Sequence, residues 1–154
     1  MNSLSIMDQV LRAAGFIIFR RTNKVPDVVE YLLLQTSYGQ NHWTPPKGHV
    51  DLGEDDITTA LRETEEEAGI KSNCLKILED TKITLKYIVN NEYVKNKSKI
   101  VVYWPAEVNF DQPVKLSNEH QDFKWLNIDE ACKLCVFEDM QKALKEVHNK
   151  IVHS

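Results

Sequence analysis

The chain has 154 residues, a net charge of −4, and 42% hydrophobic and 27% charged residues. These values are typical of one globular domain with a single hydrophobic core, and they exclude an intrinsically disordered chain. No apolar run approaches the roughly 20 residues needed to cross a bilayer, and residues 1–10 contain Asp8 but no basic residue. We therefore expect no secretory signal, no membrane partner and a cytoplasmic location, with access to the nucleus left open.

Acidic residues are concentrated between Lys47 and Ile70, where eight acidic residues stand against two basic ones. This excess of acidic residues is larger than the net negative charge of the whole chain, so the rest of the chain is slightly positive. The distribution argues against binding of nucleic acid through a broad basic face, and it suits a polyvalent cation. A solvated acidic helix is the alternative, and charge alone favours it.

Cys74, Cys132 and Cys135 are an odd number of cysteines and form no disulfide framework. Cys132 and Cys135 have a Cys-x-x-Cys spacing, but neither a second pair nor a nearby histidine completes a zinc site. We expect them to pack in the core as small hydrophobic residues.

The chain is predicted to begin with two buried strands and a stiff loop. Apolar runs predict strands at 11–19 and 28–35, with a turn at 22–27 between them. A loop is predicted at 37–48, because its two adjacent prolines exclude regular helix. Residues 1–10 are expected to be an N-terminal extension of a single domain over 11–154.

A helix is predicted over 54–68, with its apolar residues spaced three or four apart so that one stripe faces the core. Asp55 and Asp56 lie in its first turn, where the helix dipole favours negative charge. Gly69 stands where a left-handed C-cap is needed. The predicted core stripe consists of Ile57, Ala60, Leu61, Thr64 and Ala68.

Strands are predicted next at 82–89, 99–108 and 122–126, followed by a helical region over 128–151. The order of strands, helix, strands, helix indicates an α+β sandwich with a mixed sheet.

Three glutamates of the predicted helix, Glu63, Glu66 and Glu67, are spaced i, i+3 and i+4 on one face, which we expect to lie opposite the apolar stripe. Like charges at this spacing repel, so a bound divalent cation would stabilise them. Carboxylate oxygens suit Mg²⁺ or Mn²⁺ better than zinc. Arg62 can also reach Glu66 at i+4, so an ion pair is an additional source of stabilisation.

The segment from Gly48 to Ile70 reads Gly-x5-Glu-x7-Arg-Glu-x2-Glu-Glu-x-Gly-Ile and resembles the Nudix box of the Nudix hydrolases. Thr64 is the one departure, since the family usually has an aliphatic residue there. The resemblance implies a Nudix-type α/β/α sandwich. It also implies hydrolysis of a nucleoside diphosphate linked to another group, with Mg²⁺ as the cofactor and Mn²⁺ as a substitute.

The same resemblance assigns metal binding mainly to Glu63 and Glu67, assisted by Glu66 and the carbonyl of Gly48. Arg62 is expected to orient these glutamates. Cations bound there would neutralise the charge of a phosphoanhydride and make water a better nucleophile. Glu54 is expected to anchor the preceding loop to the helix. A direct role of Glu54 in catalysis is an equal alternative.

Flanking segments resemble the animal-type asymmetric diadenosine tetraphosphate hydrolases. The resemblance covers residues 11–148 and rests on Tyr38 and on the segments 42–49, 62–69, 102–104 and 116–121. It implies a monomer that cleaves a small-molecule dinucleoside polyphosphate asymmetrically, to ATP and AMP, without a nucleic-acid partner. The asymmetry comes from the resemblance alone.

Carried over by position, the resemblance places His42 and Lys47 on phosphate oxygens, a task that suits the point charge of lysine. Tyr38 and Trp43 flank this loop. Tyr93 aligns with a base-stacking tyrosine and Phe137 with a second aromatic residue, and such stacking contributes about 1–3 kcal/mol per base. The alternative for Lys47 is a solvated loop lysine, and for Trp43 and Phe137 it is core packing.

Lys95 and Lys97 are predicted to contact the polyphosphate from a basic hairpin, with Lys99 a weaker candidate. A solvated turn is the alternative. Glu119 corresponds to a family glutamate near the metals that could act as general base, against the alternative of a surface glutamate. Asn118 stands where the family often has histidine.

Three other functions fit the same sequence less well. The fold could act on ADP-ribose, a capped RNA end or a diphosphoinositol phosphate. It could also be a catalytically silent nucleotide-binding module, but such modules usually lose a glutamate of the box. The third function is that of a scaffold whose acidic helix binds a partner protein. The apolar residues of this helix are expected to pack in the core, which leaves little apolar surface for a partner.

Overall fold

The computed structural model describes residues 10–22, 28–90 and 92–153. Its strands are β1 (Leu11–Arg21), β2 (Val29–Thr36), β3 (Trp43–Thr44), β4 (Lys47–His49), β5 (Lys76–Ile77), β6 (Ile83–Val89), β7 (Lys97–Glu107) and β8 (His120–Leu126). Its helices are α1 (Asp56–Ala68), α2 (Ile128–Leu134) and α3 (Glu138–Val152), with a short 3₁₀ turn at Ser72–Cys74. Most of the turn predicted at 22–27 and of the extension predicted at 1–10 lies outside the described residues.

The strands form one mixed sheet with β1 at its centre. β7 pairs with β1 in parallel over most of the length of both strands, from Leu11 opposite Lys99 to Phe19 opposite Glu107. The other edge of β1 is divided between two antiparallel partners, because β4 pairs with its beginning and β2 with its end. β8 extends the sheet beyond β2, while β5 and β6 both pair with β7. The divided edge brings β4 beside the centre of the sheet.

Alternating residues of the central strands face two separate cores, as expected for a sheet covered on both sides. In β1, Ile17 and Phe19 pack with the layer formed by α2 and α3, whereas Phe16 and Ile18 pack with α1. Each such side chain contributes about 1.5–3 kcal/mol when fully buried. The two cores confirm the predicted α+β class and its three-layer α/β/α arrangement.

Helix α1 begins two residues later than predicted. Asp55 is its N-cap and accepts a hydrogen bond from the backbone nitrogen of Thr58 at 2.9 Å, which stabilises this start. Gly69 ends the helix with φ of 69°, as predicted for a left-handed cap. The predicted stripe faces the core, but its buried side is wider, since Thr59 and Glu67 are also buried. The expectation that all three glutamates lie opposite the core is therefore wrong for Glu67.

The helical region predicted over 128–151 is interrupted. Cys135 and Phe137 have extended backbone angles, so α2 ends and α3 begins around a turn at 135–137. The side-chain amide of Gln141 donates to the carbonyl of Cys135 at 2.7 Å and satisfies one of the carbonyls at the end of α2. Cys132 and Cys135 are free thiols in the core, as predicted.

In the part of the chain that the structure describes, none of the helices is long and apolar enough to span a bilayer.

Candidate active site

Arg62 organises the acidic residues at the start and middle of α1. Its guanidinium contacts Glu54 through Nε at 2.8 Å, Glu63 through Nη1 at 2.8 Å and Glu66 through Nη1 at 3.3 Å. Its Nη2 also donates to the carbonyl of His49 at 3.2 Å. A planar guanidinium is well suited to hold several carboxylates in fixed directions. This placement agrees with the orienting role expected for Arg62.

Glu54 joins the loop after β4 to α1. It accepts hydrogen bonds from Arg62, from the Thr59 hydroxyl at 2.7 Å and from the backbone nitrogen of Asp51 at 3.1 Å. These bonds, with Arg62 first, lower the pKa of Glu54 to about 2. The anchoring role expected for Glu54 matches these contacts.

Gly48 lies directly against the carboxylate of Glu63. A Cβ at position 48 would overlap that carboxylate, so glycine leaves the space in which the Glu63 side chain lies. Strand β4 fixes the approach, because Gly48 pairs with Ala14 of β1. The sheet and α1 therefore bring the backbone of Gly48 and the side chain of Glu63 to the same point.

Glu67 is the one buried member of the three glutamates, with 7% of its surface exposed. Its Oε1 accepts a hydrogen bond from the backbone nitrogen of Lys47 at 3.1 Å. Burial raises the pKa of Glu67, and the charge of the neighbouring Glu63 raises it further. Two adjacent carboxylates that disfavour simultaneous ionisation form a place where a divalent cation would stabilise the charged pair.

The donors at this place fit a hard divalent cation. Within the described ranges, no three His, Cys, Asp or Glu side chains are gathered into a complete metal cage. Glu63 and Glu66 instead point to Arg62. Mg²⁺ commonly uses only one or two carboxylates, together with water and substrate phosphates. Glu63, Glu67 and the backbone at Gly48 supply that kind of incomplete donor set, with Glu66 at its exposed edge.

A cavity of about 390 Å³ opens on the opposite side of the sheet from α1, between the sheet and the layer of α2 and α3. Its volume is within the range of small-molecule sites. It brings together five of the predicted substrate-binding residues, namely Tyr38, His42, Trp43, Lys47 and Phe137.

Lys47 connects this cavity with the acidic residues of α1, because it lines the cavity and its backbone nitrogen binds Glu67. Lys99 also lines the cavity, and burial together with the charge of Lys47 lowers its pKa to about 8. Two basic residues thus line the cavity, and one of them, Lys47, also binds a carboxylate of α1. This is the arrangement needed to receive a polyanion.

Aromatic side chains form the outer wall of the cavity. The rings of His42 and Phe137 are in contact, with centroids 5.1 Å apart and planes inclined by 55°. Phe137 is 54% exposed and is therefore not a core residue. Trp43 is half-buried beneath Lys124, whose Nζ lies 5.0 Å from the ring centroid. Phe137 and Tyr38 are exposed, while Trp43 packs in part against the core and also lines the cavity.

Three predicted substrate-binding residues lie outside this wall. Tyr93 and Lys95 belong to the segment between β6 and β7, and neither they nor Lys97 are among the described residues that line the cavity. Lys97 and Lys99 lie in β7, the second strand of the hairpin that β6 and β7 form, and not in the loop that joins the two strands. Since side chains alternate along a strand, Lys97 lies on the same face as Lys99, one step further out.

Glu119 lies in the turn before β8, next to the loop that carries Tyr38. Its carbonyl accepts a hydrogen bond from the backbone nitrogen of Ser37 at 2.9 Å. Burial raises the pKa of Tyr38, and the charges of Glu119, Glu67 and Glu63 raise it further, in that order. Glu119 and two of the glutamates of α1 therefore act on the same tyrosine.

Several residues of the site were not predicted. Lys99 was only a weak candidate from the sequence, and no role was predicted for four further residues that line the cavity, namely Tyr87, Val101, Tyr103 and Met140. The alternation of Lys99, Val101 and Tyr103 along one strand is a signal for three of them. His120 was also missed; its Nε2 lies 3.9 Å from Oε1 of Glu67, and burial lowers its pKa.

Comparison with known proteins gives a consistent assignment. Residues 10–151 match the family model described as NUDIX domain. The rat protein named bis(5'-nucleosyl)-tetraphosphatase [asymmetrical] is 51% identical over 143 residues, which cover 90% of this chain and 93% of that protein. The Caenorhabditis elegans protein of the same name is 45% identical over 137 residues, covering 89% and 94%.

The crystal structure titled as a C. elegans Ap4A hydrolase binary complex superposes on this chain with a TM-score of 0.86 at 41% identity. The superposition covers 94% of this chain and 100% of that chain. The likeness therefore extends over nearly the whole chain.

Proposed function

The chain belongs to the NUDIX family, and we propose that it hydrolyses diadenosine tetraphosphate asymmetrically, consuming one water and releasing ATP and AMP. The identities of 51% and 45% to relatives named asymmetrical tetraphosphatases support this substrate. The observation in the structure that carries the proposal is the position of Lys47, which bounds the cavity and binds Glu67.

The position of Lys47 suggests why cleavage would be asymmetric. A nucleoside held in the cavity has its own first phosphates next to Lys47, and hence next to Glu67. An outer anhydride of the tetraphosphate then lies beside the carboxylates, while the central anhydride lies further away. Cleavage of an outer P–O bond adds water across it and gives AMP and ATP, whereas cleavage at the centre would give two ADP.

We infer that Glu63 and Glu67 hold the divalent cation that the family requires, with Glu66 and the carbonyl of Gly48 assisting, and that this cation is Mg²⁺, with Mn²⁺ able to replace it. When bound, the cation neutralises phosphate charge and activates water for attack. Arg62 keeps the carboxylates oriented through the contacts described above. Glu119 accepts the proton of the attacking water as general base.

We further propose how the other residues bind substrate. Lys47, His42 and Lys99 contact phosphate oxygens at the mouth of the cavity, and Tyr38, Trp43 and Phe137 hold the base by stacking. Lys95 and Lys97 contact the far phosphates, and Tyr93 stacks on the second base, if the segment between β6 and β7 approaches a bound substrate. A single domain over 11–154, acting as a cytoplasmic monomer, remains part of the same hypothesis.

A substrate panel tests the proposal. Purified protein with Mg²⁺ is incubated with diadenosine tetraphosphate, ADP-ribose, a capped RNA end and a diphosphoinositol phosphate, and kcat/KM is measured for each. We expect diadenosine tetraphosphate to exceed every other compound by about 100-fold or more, which corresponds to about 2.7 kcal/mol of transition-state discrimination. A higher kcat/KM for any of the other three would refute the assigned substrate.

A further inference from the structure

His120 is a buried histidine at the start of β8. It pairs with Thr36 where the register between β2 and β8 shifts, and its backbone nitrogen donates to the carbonyl of Ser117 at 3.2 Å. Its side chain is 4% exposed, and that of Glu67 is 9% exposed. The imidazole is thus held by the backbone of the sheet and enclosed together with Glu67.

The two ring nitrogens of His120 have different surroundings. Nε2 lies 3.9 Å from Oε1 of Glu67. Nδ1 is buried and has no hydrogen-bond partner among the described residues. A buried polar ring with an unsatisfied nitrogen costs stability, so its placement calls for an explanation. Glu67 is the charged group that the other nitrogen faces.

Oε1 of Glu67 already accepts the backbone N–H of Lys47. The separation of 3.9 Å to Nε2 is longer than a hydrogen bond. Hydrogen bonds to an ionised carboxylate are shorter and stronger than those to a neutral one. Nε2 of His120 and the backbone nitrogen of Lys47 therefore face the same carboxylate oxygen, the second within hydrogen-bond distance and the first just beyond it.

We propose that His120 is a positioning residue for Glu67: its Nε2–H and the N–H of Lys47 together hold Oε1 of Glu67, so that Oε2 is directed to the divalent cation. The role rests on the proposed function of Glu67 as a metal ligand. Donors behind a ligating carboxylate orient it, and loss of such a donor typically weakens metal affinity 10–100-fold.

Direct titration with Mn²⁺, without nucleotide, tests the role. Free Mn²⁺ is measured by electron paramagnetic resonance for the wild type and for His120→Gln, His120→Asn and His120→Leu. The amide nitrogen of glutamine can occupy the place of Nε2, whereas that of asparagine reaches only the place of Nδ1. We expect His120→Gln to bind Mn²⁺ within about threefold of the wild type, and the other two variants to bind it about tenfold more weakly or worse.

The folded state of each variant is checked by circular dichroism in EDTA, and if His120→Leu is unfolded, the glutamine and asparagine variants decide the outcome. In a Glu67→Gln background, the change of His120 to asparagine should weaken Mn²⁺ binding no further. Equal Mn²⁺ affinities for His120→Gln and His120→Asn would overturn the proposal. So would a loss of Mn²⁺ affinity on His120→Asn that is as large in the Glu67→Gln background as in the wild type.

Turnover gives a second readout. His120→Asn should require about tenfold more Mg²⁺ for half-maximal activity and should keep the wild-type KM for diadenosine tetraphosphate. A changed KM at saturating Mg²⁺ with an unchanged Mg²⁺ requirement would contradict a role behind Glu67. Because the Mn²⁺ titration contains no nucleotide, it remains decisive even if the wild type cleaves a different substrate.

Discussion

At the scale of single residues, Glu67 combines burial with a negative charge that the proposed reaction needs. It is 7% exposed, and its carboxylate lies near that of Glu63. Without a cation, the folded protein favours the protonated form, so ionisation of this group opposes folding. Function and stability therefore conflict at Glu67, as they often do at active sites.

Replacement of Glu67 by glutamine is expected to lower turnover about 100-fold or more, because a preorganised charged group is lost. The same change should stabilise the cation-free protein at pH 8. Because the folded-state pKa of Glu67 is raised, protonation of its carboxyl stabilises the folded protein. This stabilisation is fully present below the ordinary pKa of 4.5 and is lost as the pH rises through the raised pKa. Steady-state kinetics and urea unfolding in EDTA at pH 5 and pH 8 measure both effects.

Glu65→Gln is the matched control, since Glu65 is an exposed residue of the same helix and lies outside the proposed site. It should change neither turnover nor the pH dependence of unfolding by much. Near-normal turnover in a folded Glu67→Gln variant would refute the metal assignment. Equal pH dependence of stability in the wild type and in Glu67→Gln would refute the account of burial.

Thr64 supplies a test of packing at the residue scale. It is fully buried, and its hydroxyl has no hydrogen-bond partner among the described residues. Thr64→Val keeps the shape and removes the unsatisfied hydroxyl, so we expect the free energy of unfolding to rise by about 1 kcal/mol. For a chain of this length, this corresponds to a rise in Tm of about 2–4 °C, which calorimetry can resolve.

Thr59→Val is the control for this change. Thr59 is as deeply buried in the same helix, but its hydroxyl donates to Glu54 at 2.7 Å. Loss of this bond to a charged acceptor should lower the free energy of unfolding by about 1–2 kcal/mol. If both valine variants shift Tm in the same direction, the hydrogen-bond account of helix α1 is wrong.

The best-predicted residues of the candidate site are those whose spacing indicates their chemistry. The three glutamates and Arg62 were predicted from their helical spacing and Gly48 from the resemblance to the Nudix box, and the structure places Gly48 and Arg62 against Glu63. The burial of Glu67 was not predicted. Helical periodicity indicates which face meets the sheet, but it does not show that the backbone of Lys47 folds over that face.

At the scale of elements, the long strands and α1 were predicted, whereas β3, β4 and β5 were not. These strands have only two or three residues each and owe their existence to pairing with β2, β1 and β7. So short a segment has no detectable periodicity. The break between α2 and α3 was missed for a related reason, since the turn at 135–137 contains neither proline nor glycine.

Arg20 joins several elements on the side of the sheet that faces α1. Its guanidinium lies 4.4 Å from the ring centroid of Phe110 and 4.3 Å from that of Trp125, while its Nε contacts Glu30 at 2.8 Å. Lysine keeps the charge but cannot stack as a plane between two rings. We expect Arg20→Lys to lower the free energy of unfolding by about 1–2 kcal/mol, measured by urea denaturation.

Arg12→Lys is the matched substitution. Arg12 is 45% exposed and pairs with Asp56 at the surface, so its change should cost at most about 0.5 kcal/mol. Losses of equal size for the two variants would show that the two aromatic contacts of Arg20 contribute little.

At the scale of the whole molecule, the candidate site is formed where the two halves of the sandwich meet. The carboxylates belong to α1 on one side of the sheet, and the cavity lies on the other side beneath α2 and α3. Strand β4 connects them, because its first residue, Lys47, contacts both. This connection depends on contacts between distant parts of the chain, which is why the sequence predicted its members but not their arrangement.

The identity of the products tests the central claim most directly. Diadenosine tetraphosphate is incubated with the protein and Mg²⁺ in ¹⁸O-labelled water. The nucleotides formed early in the reaction are separated, and their masses are measured by mass spectrometry. The account predicts ATP and AMP in equal amounts, with one ¹⁸O atom in only one of the two. Formation of two ADP, or the absence of cleavage, would contradict it.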